Sequence, residues 1–438
     1  MLSTIGIRAE DKNQWERRAP LTPDHVRELV DYHNLTVMLQ PSSLRIFPDR
    51  DYADAGAVID ADLSRCQVVL GVKEIPTALL AAQRRYVYFS HTIKGQASNM
   101  PALARLLELG CTLIDYELVR DRKGRRLIFF GRHAGYAGMI DSLWALGQRL
   151  AWEGFRTPLA EIRLAHQYAS LDEATSHIAR LGERIRHVGL PTGRRPLVVA
   201  FTGSGNVSQG AQEVFDRLPT VEIDADELLH LDEDRDRARN MIYKVVLSRD
   251  QRFERTAGGG FDADECRSHP DRYRSALTPL LPHISMLING LYWQPGFPAL
   301  VTAEQIRELW SVEEQPKLRV IGDITCDVEG SIAINVRATD PGDPIYVWDP
   351  GTGEGRSGFQ GRGPVVMAVD NLPCELPVES SEHFGDSLLR FIPPLARCDW
   401  RAPLDALGLP PALHGAIILH QGRLTPEFEY LTQYLATP

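Results

Sequence analysis

Three apolar runs in the first third of the chain each end on side chains that can move protons or carry charge. Val68 to Val72 ends at Lys73 and Glu74, Tyr86 to Phe89 ends at Ser90 and His91, and Thr112 to Ile114 ends at Asp115, Tyr116 and Glu117. A lysine, a histidine and two glutamates at one edge could supply a proton donor, a proton acceptor and the charges that shift both pKa values. Read singly, each residue also fits a solvated turn or a satisfied loop histidine; the repetition at successive strand ends is what favours chemistry. Paired arginines add possible anion recognition, because a guanidinium matches a carboxylate through two parallel hydrogen bonds. Arg17 and Arg18 precede a helix start at Thr22-Pro23, and Arg125 and Arg126 precede the apolar run Leu127 to Phe130. Most such surface pairs are merely solvated.

A second chemical pattern follows Leu197 to Phe201. That run feeds Thr202-Gly203-Ser204-Gly205-Asn206-Val207-Ser208-Gln209-Gly210, then a helical face of Ala211, Val214, Phe215 and Leu218, then Thr220 to Ile223 ending at Asp224. Strand, glycine turn, helix and strand in that order describe a dinucleotide site. Pyrophosphate needs backbone N–H groups at a helix N-terminus, and Gly203 and Gly205, lacking Cβ, permit that approach. The spacing departs from GxGxxG: Ser208 occupies the third glycine's place and Gly210 comes two residues later. Asp224 stands 21 residues beyond Gly203, about where an acid holds a ribose hydroxyl. An ordinary glycine turn is the competing reading, and the surrounding elements favour the nucleotide.

These side chains need a scaffold. Strands are expected at Ile5–Arg8, 36–39, 68–72, 86–89, 112–114, 197–201 and 220–223, near-continuous apolar runs separated by helical patterns. Such runs suggest parallel sheets covered on both faces, whose carboxyl edges would carry all the strand-end residues above. Residues 134–151 read as a helix, as does 171–188, where Ala174, Ile178, Leu181, Ile185 and Val188 recur at helical spacing before Gly189. The stretch Leu190–Gly193 is the best internal boundary. Residues 250–275, charged and containing Gly258-Gly259-Gly260, read as a surface excursion; 340–364, rich in glycine and proline, as irregular connections; 383–396 and 427–435 as helical.

Composition sets the class. The 438 residues include 48 Lys plus Arg and 58 Asp plus Glu, a formal charge of −10, with 43% apolar and 24% charged residues. This is a soluble globular balance, and the acidity argues against a nucleic-acid binder, which needs a basic face. The six cysteines lie no closer than 24 residues apart, which speaks against a thiolate metal site and for a reducing compartment. No metal is expected. The N-terminus has no apolar signal-type segment and no stretch is long enough to span a bilayer, so a cytoplasmic protein without membrane association is expected.

The chain resembles the lysine–2-oxoglutarate reductase family, the lysine-forming saccharopine dehydrogenases, from about Ile5 to Leu435. The resemblance is carried by R-A-E-D-K-N-Q-W-E-R-R-A-P-L-T-P (8–23), G-V-K-E (71–74), F-S-H-T-I-K (89–94), I-D-Y-E (114–117), A-G-M-I-D (137–141), F-T-G-S-G-N-V-S-Q-G-A-Q (201–212), L-I-N-G-L-Y-W (287–293), D-N-L-P (370–373) and H-F-G-D (383–386). More distantly, the first lobe is similar to alanine dehydrogenase and the transhydrogenase nucleotide-binding subunit. The resemblance implies an α/β protein of two Rossmann-like, doubly wound lobes with an interdomain active-site cleft. Residues 1–165 with 365–438 would form the substrate and catalytic lobe, and 166–364 the dinucleotide-binding lobe. It implies NAD(P)H-dependent condensation of L-lysine with 2-oxoglutarate to saccharopine by a free-standing reductase. Another opine-type or alanine-type dehydrogenase, or a non-catalytic dinucleotide sensor, is the alternative. Lys73 and His91 would be the acid/base pair; Arg18 and Arg126 would grip substrate carboxylates with Phe130 nearby; Glu74 and Glu117 would tune the charge of the pair. Gly203, Ser204, Gly205, Asn206, Val207, Ser208 and Gly210 would hold pyrophosphate, with Asp224 near the adenosine ribose. Asp323 and Thr325 match a substrate-proximal strand end, and Asp370, Asn371 and Leu372 the segment near the nicotinamide. The resemblance favours NADP, whereas Asp224 by itself reads as an NAD-type acid. The oligomeric state stays open.

Overall fold

The computed structural model describes residues 3–190, 196–231 and 239–435. The chain forms two compact units, one of Met1–Phe130 with Pro377–Pro438, the other of Gly131–Leu376. The expected exchanges at 165 and 365 thus fall at 130 and 376 instead. The first moves because the helix Gly131–Trp152 is built into the second unit. A Cβ at its Gly135 would land on the Val207 carbonyl oxygen, and one at Gly210 on the Arg132 carbonyl oxygen. Two backbones this close leave no room for side chains, so this helix and Asn206–Phe215 pack as one piece. The break expected at Leu190–Gly193 lies largely outside the described residues.

Strands are laid down as β1 (Thr4–Ile7), β2 (Thr36–Leu39), β3 (Val58–Ile59), β4 (Val68–Leu70), β5 (Arg85–Tyr88) and β6 (Thr112–Asp115) in the first unit. The second unit adds β7 (Val198–Thr202), β8 (Thr220–Ile223), β9 (Ile242–Leu247), β10 (Phe253–Arg255), β11 (Tyr273–Ser275), β12 (Met286–Asn289), β13 (Val320–Asp323), β14 (Ile345–Trp348), β15 (Gly355–Ser357) and β16 (Val365–Met367). The returning chain contributes β17 (Ile417–His420) and β18 (Arg423–Leu424).

The first unit's sheet runs β18-β17-β6-β5-β4-β1-β2-β3. Its six N-terminal strands are parallel, and β17 closes the edge antiparallel to β6. Strand order reverses between β1 and β4, the place where open α/β sheets leave a crevice at their carboxyl ends. The second unit's sheet runs β15-β14-β16-β13-β12-β7-β9-β8. It is parallel from β8 to β16, with β14 and β15 added antiparallel. Apolar side chains fill both of its faces, as buried parallel strands require.

Local signals hold. Thr22 caps the helix Pro23–Asp31. Ser170 Oγ accepts the Glu173 N–H to start Leu171–Val188, and Gly189 ends it at φ +81°. Ala174, Ile178, Leu181 and Ile185 are buried along that helix, the larger three each contributing roughly 2 kcal/mol; Val188 is exposed. Two expectations change. The 340–364 segment holds β14, whose four residues are all buried, together with β15. The 250–275 segment is no bare excursion: β10 pairs with β11, and Phe253, Cys266 and Tyr273 are buried. The 383–396 pattern resolves into two helices, Pro377–Leu389 and Ile392–Arg397, because the second begins on Pro393 and Pro394, which cannot continue the first.

Candidate functional site

In the first unit the three strand ends do meet. The chain leaves β4 through Gly71 and Val72, and Glu10, just past β1, fixes the exit: its carboxylate accepts the Val72 N–H at 2.8 Å and the Lys73 N–H at 3.0 Å. Glu10 is 8% exposed. Burial pushes its pKa up to about 7, with Glu16 adding to the rise while the Arg8 charge and the two N–H donors oppose it. Lys73, thus anchored, carries an ammonium that makes no hydrogen bond to any described residue. Burial, then the charges of Arg18 and Lys12, lower its pKa; Glu74 and Glu16 pull the other way.

Glu74 bridges the group. Its Oε1 meets His91 Nδ1 at 2.5 Å, and its Oε2 meets Lys12 Nζ at 3.1 Å. Burial alone would raise the Glu74 pKa, but the His91 hydrogen bond and the charges of His91, Lys12 and Lys73 outweigh it and hold the carboxyl well below its usual range. Among the described residues nothing bonds His91 Nε2, so the ring offers that nitrogen outward. His91 has φ +50°, a left-handed backbone unusual for a residue with a Cβ, at a cost of about 1 kcal/mol or more. The turn is held by its neighbours. Asp115 accepts the Ser90 N–H at 2.9 Å, the Ser90 hydroxyl and the Glu117 N–H at 2.7 Å, while Asn99 Nδ2 donates to the His91 carbonyl at 3.0 Å. Asp115 is fully buried; that burial raises its pKa, against the lowering effect of the Ser90 hydrogen bonds.

The arginines are engaged. Arg18 and Glu16 pair through two hydrogen bonds, 2.7 and 2.5 Å, both side chains buried. The guanidinium lies 4.4 Å from the Phe130 ring centre, and Phe130 stacks on Phe384 at 4.8 Å. Arg126 pairs with Glu117, so Glu117 reaches Arg126 rather than the Lys73–His91 group. Sequence reasoning gave no role to Glu10, Lys12, Glu16 or Asp115. Three of them stand in the 8–23 motif and the fourth in a strand-end run, but nothing in the spacing alone marks a buried carboxylate that accepts backbone N–H groups.

In the second unit β7 runs into Gly203 at φ +84°, where a Cβ would also crowd the Gly290 carbonyl oxygen at 3.1 Å. Only glycine fits there without strain. Ser204, Gly205 and Asn206 are exposed, and a Cβ on Gly205 would meet nothing within 4 Å. The helix Asn206–Phe215 has no side-chain cap. A bare helix start behind open space suits an anionic group such as pyrophosphate. Val207 is half-buried and Ser208 buried.

Asp323, fully buried at the end of β13, accepts from Asn289 Nδ2 and Asn335 Nδ2, each at 2.8 Å, and from the Thr325 hydroxyl at 3.0 Å. Burial pushes its pKa up to about 6 against those three donors. Thr202 joins the network through Asn289 at 2.8 Å. Asp323 and Thr325 therefore brace the carboxyl edge beside the glycine turn. Asp370 is exposed just after β16, Asn371 is buried, and Leu372 packs toward Gly138. Asp224 follows β8, is exposed, and caps the next helix: its Oδ1 accepts the Glu227 N–H at 2.7 Å.

The two α/β units, one presenting a Lys–Glu–His group and the other a glycine turn at a helix start, have an alanine dehydrogenase-like fold. The solved structure of an L-alanine dehydrogenase superposes with a TM-score of 0.63 over 99% of this chain and 100% of that one, at 20% identity. Residues 6–137 match the family described as alanine dehydrogenase/PNT, N-terminal domain. The particular relatives lie elsewhere. The chain is 35% identical over 98% of its length to the mitochondrial alpha-aminoadipic semialdehyde synthase of Bos taurus, spanning 47% of that protein. It is 25% identical over 88% of its length to the saccharopine dehydrogenase [NAD(+), L-lysine-forming] of Emericella nidulans, covering 90% of it. The resemblance read from the motifs is borne out: the chain is related along nearly all its length to both. It spans about half the length of the synthase. Among the described residues no helix is long and apolar enough to cross a membrane.

Proposed function

We propose that the protein catalyses NAD(P)H-dependent reductive condensation of L-lysine with 2-oxoglutarate to saccharopine, reversibly, with NADP as the preferred cofactor. The observation that carries this reading is the first unit's strand-end group: an ammonium with no hydrogen-bond partner among the described residues, beside an imidazole whose Nδ1 is held by Glu74 and whose Nε2 meets none of them. A Glu74-bound Nδ1–H leaves Nε2 as the acceptor of the neutral ring. His91 Nε2 would take the proton that the lysine ε-nitrogen loses as its bond to the keto carbon forms. The Lys73 ammonium would polarise the keto oxygen and supply the proton with which the hydroxyl leaves as water, giving the imine. Burial makes this plausible by bringing the Lys73 cation nearer to releasing its proton. Reduced nicotinamide, when bound, supplies the hydride that converts the imine carbon to the amine. Arg18 and Arg126 would orient substrate carboxylates by exchanging part of their pairing with Glu16 and Glu117. The glycine turn, Asp370, Asn371 and Leu372 would hold the cofactor.

The test is oxidation of NADPH by purified protein with lysine and 2-oxoglutarate, each omitted in turn. Turnover that needs both supports the reading. Turnover with ammonia and pyruvate, or none with any amine and keto acid, rejects it.

A further inference from the structure

The strand beside the glycine-turn strand is β9, not β8. A dinucleotide whose pyrophosphate lies on that turn carries its adenosine ribose to the end of the neighbouring strand. Thr202 pairs with Leu247, so Ser248 and Arg249 stand level with Gly203 and Ser204. Asp224 is elsewhere. It follows Ile223, which pairs with Val245, itself paired with Ala200. At about 4.8 Å between strands and about 3.3 Å per residue, Asp224 lies roughly 10 Å sideways and roughly 7 Å short of Gly203. One of its oxygens is also spent on the Glu227 N–H.

The end of β9 is positive. The Arg249 side chain is exposed and makes no hydrogen bond or ion pair with any described residue. Arg252 is 4% exposed; its Nε donates to the Ser248 carbonyl at 3.0 Å, and its Nη1 is buried without a partner among the described residues. Burial lowers the Arg252 pKa to about 10, and the charge of Arg249 adds to the fall. The acid that faces this pair, Asp250, accepts the Ser248 hydroxyl at 2.5 Å. Two guanidiniums that repel each other form a site short of negative charge, and a phosphate dianion with several acceptor oxygens would offset that repulsion.

We infer that Ser248, Arg249 and Arg252 form the subsite for the 2′-phosphate of NADP(H), and that Arg249 sets the preference for NADP over NAD. This rests on the dinucleotide reading of the glycine turn and adds which dinucleotide it takes. Arg249 is solvent-facing, so its replacement leaves the fold intact.

Binding is measured on the full chain by calorimetry with NADPH and NADH, and by displacement of bound NADPH with 2′,5′-ADP or 5′-ADP. The wild type is expected to bind NADPH at least tenfold more tightly than NADH, and 2′,5′-ADP to displace at least tenfold better than 5′-ADP. Arg249→Ala should weaken NADPH by about 10- to 100-fold with NADH changed less than threefold, and Arg249→Lys should restore part of the loss. Equal affinity of the wild type for the two fragments, or equal weakening of both dinucleotides by Arg249→Ala, overturns the inference. If the wild type binds neither dinucleotide, it is the nucleotide reading of the turn that fails.

Discussion

Glu10 offers a test of how the proposed catalytic edge is held. Its two oxygens each accept one backbone N–H, from Val72 and Lys73. In Glu10→Gln, one of those donors would face an amide NH2, a loss of about 1 kcal/mol. The same change removes a buried titration. A folded-state pKa of about 7 against an ordinary 4.5 means that the native state disfavours the anion by roughly 3 kcal/mol. The sign follows from linkage. A raised folded pKa leaves this stability fully present below about 4.5 and removes it as pH rises through about 7. The glutamine protein lacks that slope. It should equal the wild type within about 1 kcal/mol at pH 5 and exceed it by roughly 2 kcal/mol at pH 8. Urea unfolding at pH 5, 6, 7 and 8 measures the difference. Stability curves that run parallel for the two proteins across this range would refute the burial of Glu10 as an acid ionised at a cost. At pH 8 the variant should also lose turnover despite its gain in stability, because the Lys73 amide has lost a full carboxylate anchor.

Other consequences are sharper in outcome. The double variant Lys73→Met with His91→Gln should lose nearly all turnover; a folded double variant within tenfold of wild type would reject both roles. Because burial lowers the Lys73 pKa, and because the proposed mechanism uses the cation, kcat/KM should fall as pH rises through a limb lying below the roughly 10.4 of free lysine. The residual turnover of Lys73→Met should lack this limb, and its persistence would assign it to another group. Gly210→Ala should drive a methyl into the Arg132 carbonyl oxygen and destabilise the second unit by about 2 kcal/mol or more, lowering its Tm by roughly 5 °C; an unchanged Tm would contradict the close helix approach.

Much of the first unit could be read from the chain. The runs ending at Lys73, His91 and Glu117 are strands whose ends share one edge, because each is apolar enough to be a buried parallel strand and polar immediately beyond. The pairing among those ends was less accessible. Glu74 holding His91 depends on two turns, one of them with a left-handed His91, and no spacing rule encodes that. Glu10 and Asp115 stayed silent because a carboxylate that serves backbone N–H groups looks, in sequence, like any surface acid. In the second unit, β14 was hidden by surrounding glycine and proline although Ile345-Tyr346-Val347-Trp348 is as apolar as any strand in the chain.

The unread strand with the largest consequence is β9. Ile242-Tyr243-Lys244-Val245-Val246-Leu247 is a plain strand signal interrupted by one lysine, and that lysine is buried and paired with Asp216 at 3.0 Å and Glu222 at 3.4 Å. Counting from Gly203 to Asp224 treats the next strand in the chain as the next strand in the sheet. Here the chain passes over that position, lays β8 at the edge, and returns to insert β9 between. What meets a ribose is decided by hydrogen-bonded neighbours, so the acid with the expected spacing ends up capping a helix, and a serine and an arginine take the place beside the turn. Under the subsite inferred above, the conflict between an NAD-type acid and an NADP-using resemblance dissolves: Asp224 would stand too far from the turn to repel a 2′-phosphate, and Arg249, level with the turn, would attract it.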